Sequence, residues 1–172
     1  MDRLIAPFLR WAGSLGVQAF ILRDAVWFGG WVSPAFHLYG LLMLPLTWSP
    51  VALLFAGGMT GLLLDLSTAQ AGVWTSSGLV LGALLPVVNR LLSPREGYET
   101  DSAPTWKDQG MNWFVARTLL LLLGHDLWRF ALEAGRWGLR WEVAPMAMTS
   151  AVGTGLLILL TNRLFTRNSM RR

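Results

Sequence analysis

The chain has 172 residues, of which 53% are hydrophobic and only 14% are charged. Because a soluble domain carries about 25% charged residues, a water-soluble fold of this size could not hide so much apolar surface, whereas a lipid bilayer could solvate it. The basic residues behind the net charge of +4 lie between apolar segments, which argues against a nucleic-acid surface, and the absence of cysteine excludes disulfides and thiolate sites.

Six apolar segments follow one another along the chain, each near the length that a helix needs to cross about 30 Å of hydrocarbon. We predict an all-α integral membrane protein with six transmembrane helices in a single domain, 1–172. The spans are expected at about 4–22, 34–48, 51–66, 73–92, 111–132 and 143–165. No small-residue cleavage site follows the first segment, so it is interpreted as a retained span.

Small residues line the third segment, which ends on Asp65. Gly57 and Gly61 are four residues apart, a spacing that lets a second helix approach closely. Together with Gly58 they are predicted to form a helix-packing surface.

The long polar stretch 93–109 separates the fourth and fifth segments. Two interpretations stay open for this loop. It is either a contact for cytoplasmic partners or a solvated connector.

Ionisable residues inside membrane spans are costly and are usually paired or functional. The fifth segment carries His125, Arg129 and Glu133 at intervals of four, with Asp126 close to the same helical face. We predict that Arg129 pairs with Asp65, Asp126 or Glu133. The cluster is either a structural ion-pair network, a ligand or partner contact, or a site of catalysis or proton transfer.

Signature sequences of metalloproteases, serine hydrolases and P-loop NTPases are absent. We therefore expect no catalytic residues, no cofactor and no metal site. His37, alone in the second segment, is interpreted as a packed or interfacial histidine.

The distribution of basic residues orients the bundle. With six spans, nine basic residues fall on the face of the termini and three on the other, since Arg117 and Arg129 lie within a span. The nine are Arg3, Arg10, Arg90, Arg95, Lys107, Arg163, Arg167, Arg171 and Arg172, and the three are Arg23, Arg136 and Arg140. Because cytoplasmic loops are enriched in Lys and Arg, both termini are predicted to be cytoplasmic.

Four stretches of the chain form a recognisable series: HLYGLLMLPL at 37–46, FAGGMTGLLLDLSTAQAG at 55–72, LLSPREGYE at 91–99 and GMNWFVARTLLLLLGHDLWRFALEAGRW at 110–137. In order, spacing and hydropathy they resemble the rod shape-determining protein MreD family. The more specific part of the resemblance is the loop motif formed by Pro94, Arg95, Gly97, Tyr98 and Glu99. A second histidine is common in the family where this chain has Asp126.

The resemblance implies a non-enzymatic subunit of the bacterial cell-elongation complex in the inner membrane. Such a subunit associates with MreC, a single-span protein, and helps to organise the peptidoglycan polymerase and transpeptidase and, indirectly, MreB filaments. It also implies a fold similar to the substrate-binding subunits of energy-coupling-factor transporters, with a cavity open to the periplasm. The alternative function is a vitamin-binding transporter subunit, and an intramembrane hydrolase lacks a defined nucleophile. Membrane lipid is a further expected partner, and nucleic acid is not.

Overall fold

The computed structural model describes residues 2–23, 25–68, 72–98, 103–134 and 142–168. Within these residues the protein is helical and has no named strand, so the all-α prediction is confirmed. The helices are α1 (Asp2–Phe20), α2 (Leu38–Leu42), α3 (Pro50–Thr68), α4 (Val73–Leu91), α5 (Trp106–Gln109), α6 (Met111–Glu133) and α7 (Val143–Asn168), with a short 3₁₀ turn at Phe28–Gly30.

The closest helix pair is α3 and α4, which run antiparallel. A Cβ on Gly57 would overlap the carbonyl oxygen of Gly78, and one on Gly61 would overlap the backbone of Trp74 and Thr75. Gly58 faces the Leu79 side chain. The glycines predicted to pack helices thus lie at the contact between α3 and α4.

The prediction of a helical span over 34–48 is wrong, because only the five residues of α2 are helical there. Five residues rise by about 8 Å, far less than a bilayer core. Pro45 contributes to the loss of helix at the end of this segment, because it lacks the N–H that a helix interior needs and disfavours the helical conformation at Leu44.

The segment 33–44, named here the broken segment, still runs along the inside of the bundle. At one end, the Ser33 N–H donates to Ser150 Oγ at 3.0 Å, and the Ala35 N–H donates to Thr154 Oγ1 at 3.0 Å. At the other end, Asn162 of α7 contacts the Met43 sulfur at 3.3 Å. The broken segment therefore follows α7 from near its first turns to near its last.

Side chains of α1 and α6 bind further backbone groups of the broken segment. An N–H or C=O that cannot join a helix must find another partner when it is buried. Here the Phe36 N–H donates to Gln18 Oε1 at 2.7 Å, the Gly40 N–H donates to Ser14 Oγ at 3.2 Å, and Arg117 Nη1 donates to the Leu42 carbonyl at 2.9 Å.

These pairings define two ends of the bundle. At the terminal end, α1 and α6 begin, and α4 and α7 end. The hydrogen bond from Trp113 Nε1 to the Leu92 carbonyl joins the end of α4 to the start of α6 there. At the opposite end, α3 passes into α4, and α6 ends.

The outward sides of α3 and α7 are apolar. Exposed side chains include Val51, Phe55, Leu62 and Leu66 on α3, and Met148, Val152, Leu156, Leu160 and Leu164 on α7. Two helical stretches, Pro50–Thr68 and Val143–Leu164, are long and apolar enough to cross a bilayer by length and composition. Among the described residues, two helices rather than six meet this measure.

Candidate functional site

Asp65 lies at the end of α3 and binds the first turn of α4. Its carboxylate accepts the Trp74 N–H at 3.0 Å, the Thr75 N–H at 2.9 Å and the Thr75 hydroxyl at 2.5 Å. These N–H groups are the ones that an N-cap side chain satisfies. The residue at the cap position is Gly72, which has no side chain, so Asp65 supplies the acceptor from the preceding helix.

The polar residues of α6 form two contacts. His125 Nδ1 lies 2.9 Å from Asp126 Oδ1, and both side chains are fully buried. Arg129 Nε lies 3.2 Å from Glu133 Oε1 without hydrogen-bond geometry, and the Glu133 side chain is 34% exposed. Of the three predicted partners of Arg129, the structure places Glu133 beside it, while Asp65 binds the start of α4.

Two aromatic side chains join this cluster from other elements. The ring of His37, on the broken segment, lies 5.3 Å from Trp74 and 5.8 Å from His125 between centroids. The Arg129 guanidinium stacks over Trp74 at 4.8 Å and over Phe130 at 4.4 Å. We name His37, Trp74, His125, Asp126 and Arg129 the polar core.

Sequence reasoning missed His37 and Trp74 as members of the polar core. Both were recognisable as unusual side chains in apolar segments, but nothing in their spacing links them to α6. The broken segment brings His37 to the level of His125, and the Asp65 contact fixes the first turn of α4 beside it.

Several polar atoms of the polar core are buried without a hydrogen-bond partner among the described residues. They are His37 Nδ1, Trp74 Nε1, His125 Nε2, Asp126 Oδ2, Arg129 Nε and Arg129 Nη1. Buried polar atoms are usually satisfied, and such a concentration calls for a physical cause.

The hydroxyl groups near Asp65 are engaged by helix backbone. Ser76 and Ser77 donate to the Val73 carbonyl at 3.1 Å and 2.7 Å. The described part of the chain has no group of three His, Asp or Glu side chains arranged to hold a metal ion.

A second polar contact lies at the terminal end. Arg117 Nε donates to Asn89 Oδ1 at 2.7 Å, so this buried guanidinium ties α6 to both α4 and the broken segment. The Tyr98 hydroxyl donates to the Asn89 carbonyl at 2.6 Å, which fastens the loop after α4. Burial raises the pKa of Tyr98, while the neighbouring Trp113 side chain and the charge of Arg117 act in the other direction.

The predicted loop motif is described in part. Pro94, Arg95 and Gly97 form an exposed turn in which the Gly97 N–H donates to the Pro94 carbonyl at 3.0 Å and Gly97 has a φ of 79°. Glu99 lies outside the described residues, as do Arg136, Arg140, Arg171 and Arg172.

Two apolar grooves accompany these sites. One groove of about 680 Å³ lies between α7 and the loop that contains Trp27, Phe28 and Trp31. The other, of about 140 Å³, lies between α6 and α7. Neither groove is lined by Asp65 or by the polar core.

No family model matches the chain, and no curated protein and no solved structure is significantly similar to it.

Proposed function

We propose that this chain is a non-enzymatic, multi-pass subunit of the bacterial cell-elongation complex in the inner membrane, where it docks MreC. The observation that carries the membrane part of the proposal is the broken segment, whose buried backbone is bound by side chains. The sequence resemblance described above supports the elongation part.

A bilayer explains the broken segment together with the apolar exterior. Irregular backbone at membrane depth is tolerated only where protein or a water-filled cavity surrounds it. Ser14, Gln18, Arg117, Ser150 and Thr154 provide that surrounding, while the outer sides of α3 and α7 expose apolar side chains. We infer six crossings, the second made by the broken segment and the residues after it.

The placement of charge supports cytoplasmic termini. Arg10, Arg90, Arg95, Lys107 and Arg163 belong to the terminal half of the bundle, whereas Arg23 follows the end of α1 at the opposite end. An excess of Lys and Arg is typical of the cytoplasmic side. The same basic residues would attract anionic lipid, at about 1 kcal/mol for each residue near the surface.

The groove between α7 and the Trp27–Trp31 loop is the docking surface we propose for the MreC transmembrane helix. It follows α7 from Met148 to Leu160, about 18 Å of helix, and its lining is almost entirely apolar. The glycines of α3 are not available for this role because they contact α4. A Cβ on Gly153 would lie 2.9 Å from Val32 Cγ1, so this glycine lets the Val32 side chain pack closely against α7 at the floor of the groove.

Cysteine cross-linking in membranes tests this docking. Because the chain has no cysteine, Val152→Cys can be paired with single cysteines along the MreC transmembrane helix. We expect a disulfide from Val152→Cys and none from Leu62→Cys, a control on the outer side of α3. Absence of cross-links in the groove, with both proteins present in the membrane, would refute the surface, and failure of the two proteins to co-purify would refute the function.

The polar core favours one alternative, a solute-binding transporter subunit, because its unpartnered N–H groups could bind a polar solute. A vitamin-binding subunit usually shows an alanine-spaced motif in an early span, where this chain has only Ala12 and Gly16. Co-purification of an ATPase module and a bound vitamin, in place of MreC, would establish the alternative.

A further inference from the structure

We propose that the polar core binds a cluster of internal water molecules that bridges the broken segment, α4 and α6. This inference does not depend on the identity of the partner, and it concerns a site distinct from the groove on α7.

The broken segment, α4 and α6 lie in contact at the polar core, but the unpartnered atoms there form no hydrogen bond between these elements. The rings of His37, Trp74 and His125 lie 5.3 Å to 6.5 Å apart, and the Arg129 guanidinium lies 4.8 Å from Trp74. The unpartnered nitrogens of these side chains and the second oxygen of Asp126 are buried within this cluster. Buried polar groups that lack a protein partner are commonly bound by ordered water.

The chemistry of the unpartnered atoms selects water over an ion. Trp74 Nε1 and the two nitrogens of Arg129 can only donate, whereas Asp126 Oδ2 accepts. An anion could not donate to Asp126 Oδ2, and a metal cation could not accept from Trp74 Nε1 or from Arg129. Water both donates and accepts, and buried water typically makes about three such bonds to groups that would otherwise be unsatisfied.

The path of water to this site is expected at the opposite end of the bundle. Glu133, one turn beyond Arg129, is partly exposed and connects the polar core with the surface. Toward the terminal end, the next turn of α6 carries Leu121 and Leu122, which pack with Leu81 and Leu85 in the apolar core. This apolar layer closes the site on one side.

Radiolytic hydroxyl labelling of the purified full chain in lipid nanodiscs tests the proposal, because radicals form from water next to the labelled side chain. His37 and His125 are 2% and 0% exposed, and Phe114, in the apolar core, is 1% exposed and serves as the matched control. After correction for the intrinsic reactivity of each residue type, we expect both histidines to be labelled several-fold faster than Phe114. Equal, near-zero labelling of all three would show a dry site and overturn the proposal.

A variant tests the path. Glu133→Leu should lower the labelling of both histidines several-fold, while Glu96→Gln, which removes an exposed carboxylate from the loop after α4, should leave it unchanged. Unchanged labelling in Glu133→Leu would refute the path. If that variant does not fold, the wild-type comparison still decides the proposal. A stoichiometric small molecule released on denaturation would overturn the assignment to water.

Discussion

Replacing Asp65 with alanine removes the shared acceptor of three donors at the start of α4. The carboxylate binds two backbone N–H groups and the Thr75 hydroxyl, and the Asp65 side chain is almost fully buried. Neither N–H has another acceptor within its own helix, because the first N–H groups of a helix lack intrahelical partners. The variant therefore leaves buried donors unpaired, which costs more than the loss of an exposed contact.

The size of the effect follows from the bonds. Hydrogen bonds to a charged group contribute about 1.5–3 kcal/mol each, and a negative charge at a helix N-terminus adds about 0.3–1 kcal/mol. Since the Thr75 hydroxyl can turn to another acceptor, we expect Asp65→Ala to lower the free energy of unfolding by about 3–5 kcal/mol. For a chain of this length, that corresponds to a fall in melting temperature of about 10 °C. Asp65→Asn keeps one acceptor and should show about half of the loss.

Thermal unfolding of the purified protein in detergent, followed by tryptophan fluorescence or by the monomer recovered after heating, measures this change. Glu96→Ala is the control, because Glu96 is an exposed carboxylate in the loop after α4. A double-mutant cycle with Thr75→Val should give a coupling energy of about 1 kcal/mol. An Asp65→Ala melting temperature equal to that of Glu96→Ala would refute the capping role.

Three further predictions concern packing, a buried cation and pH. Gly61→Ala should destabilise the protein by about 1–3 kcal/mol because its Cβ would overlap backbone, while Gly16→Ala, which meets no neighbour, should be neutral or stabilising in the same thermal assay. Arg117→Leu should cost about 3 kcal/mol by leaving a buried amide and carbonyl unpaired, and a melting temperature equal to that of the wild type would contradict this. Burial raises the pKa of Tyr98 in the folded protein. Its contribution to the free energy of unfolding is therefore complete at pH values below the ordinary tyrosine pKa near 10, and it is lost as the pH rises through the higher pKa of the folded state. Ultraviolet titration of Tyr39→Phe, which leaves Tyr98 as the sole tyrosine, should show ionisation above that of free tyrosine, and ionisation at or below it would contradict the anchoring contact.

Local hydrophobicity was sufficient to locate the five long helices. The segments 51–66, 73–92, 111–132 and 143–165 coincide with α3, α4, α6 and α7 to within a few residues, and 4–22 coincides with α1. Continuous apolar runs between polar turns determine these positions without long-range information. The second segment failed because its hydropathy resembles that of a span, whereas only Leu38–Leu42 is helical and Pro45 opposes a continuation of that helix.

The candidate site was predictable by residue type but not by pairing. The spacing of four along α6 correctly brought Arg129 and Glu133 together, since i and i+4 neighbours depend on helix geometry alone. The partner of Asp65 depends on how the turn after α3 returns the chain, and no periodicity encodes that path. Asp65 therefore binds the start of α4 rather than Arg129.

The amino-acid sequence by itself determined the helical class, the bounds of the long helices and the distribution of charge, because these follow from composition and short-range spacing. Tertiary structure alone decided that residues 33–44 are a broken segment whose backbone is bound by α1, α6 and α7. It also decided that His37 and Trp74 lie beside His125 in a buried polar core. Such contacts join residues far apart in the chain. They form only when α3 packs on α4 and the hydrogen bonds to the broken segment form at the same time.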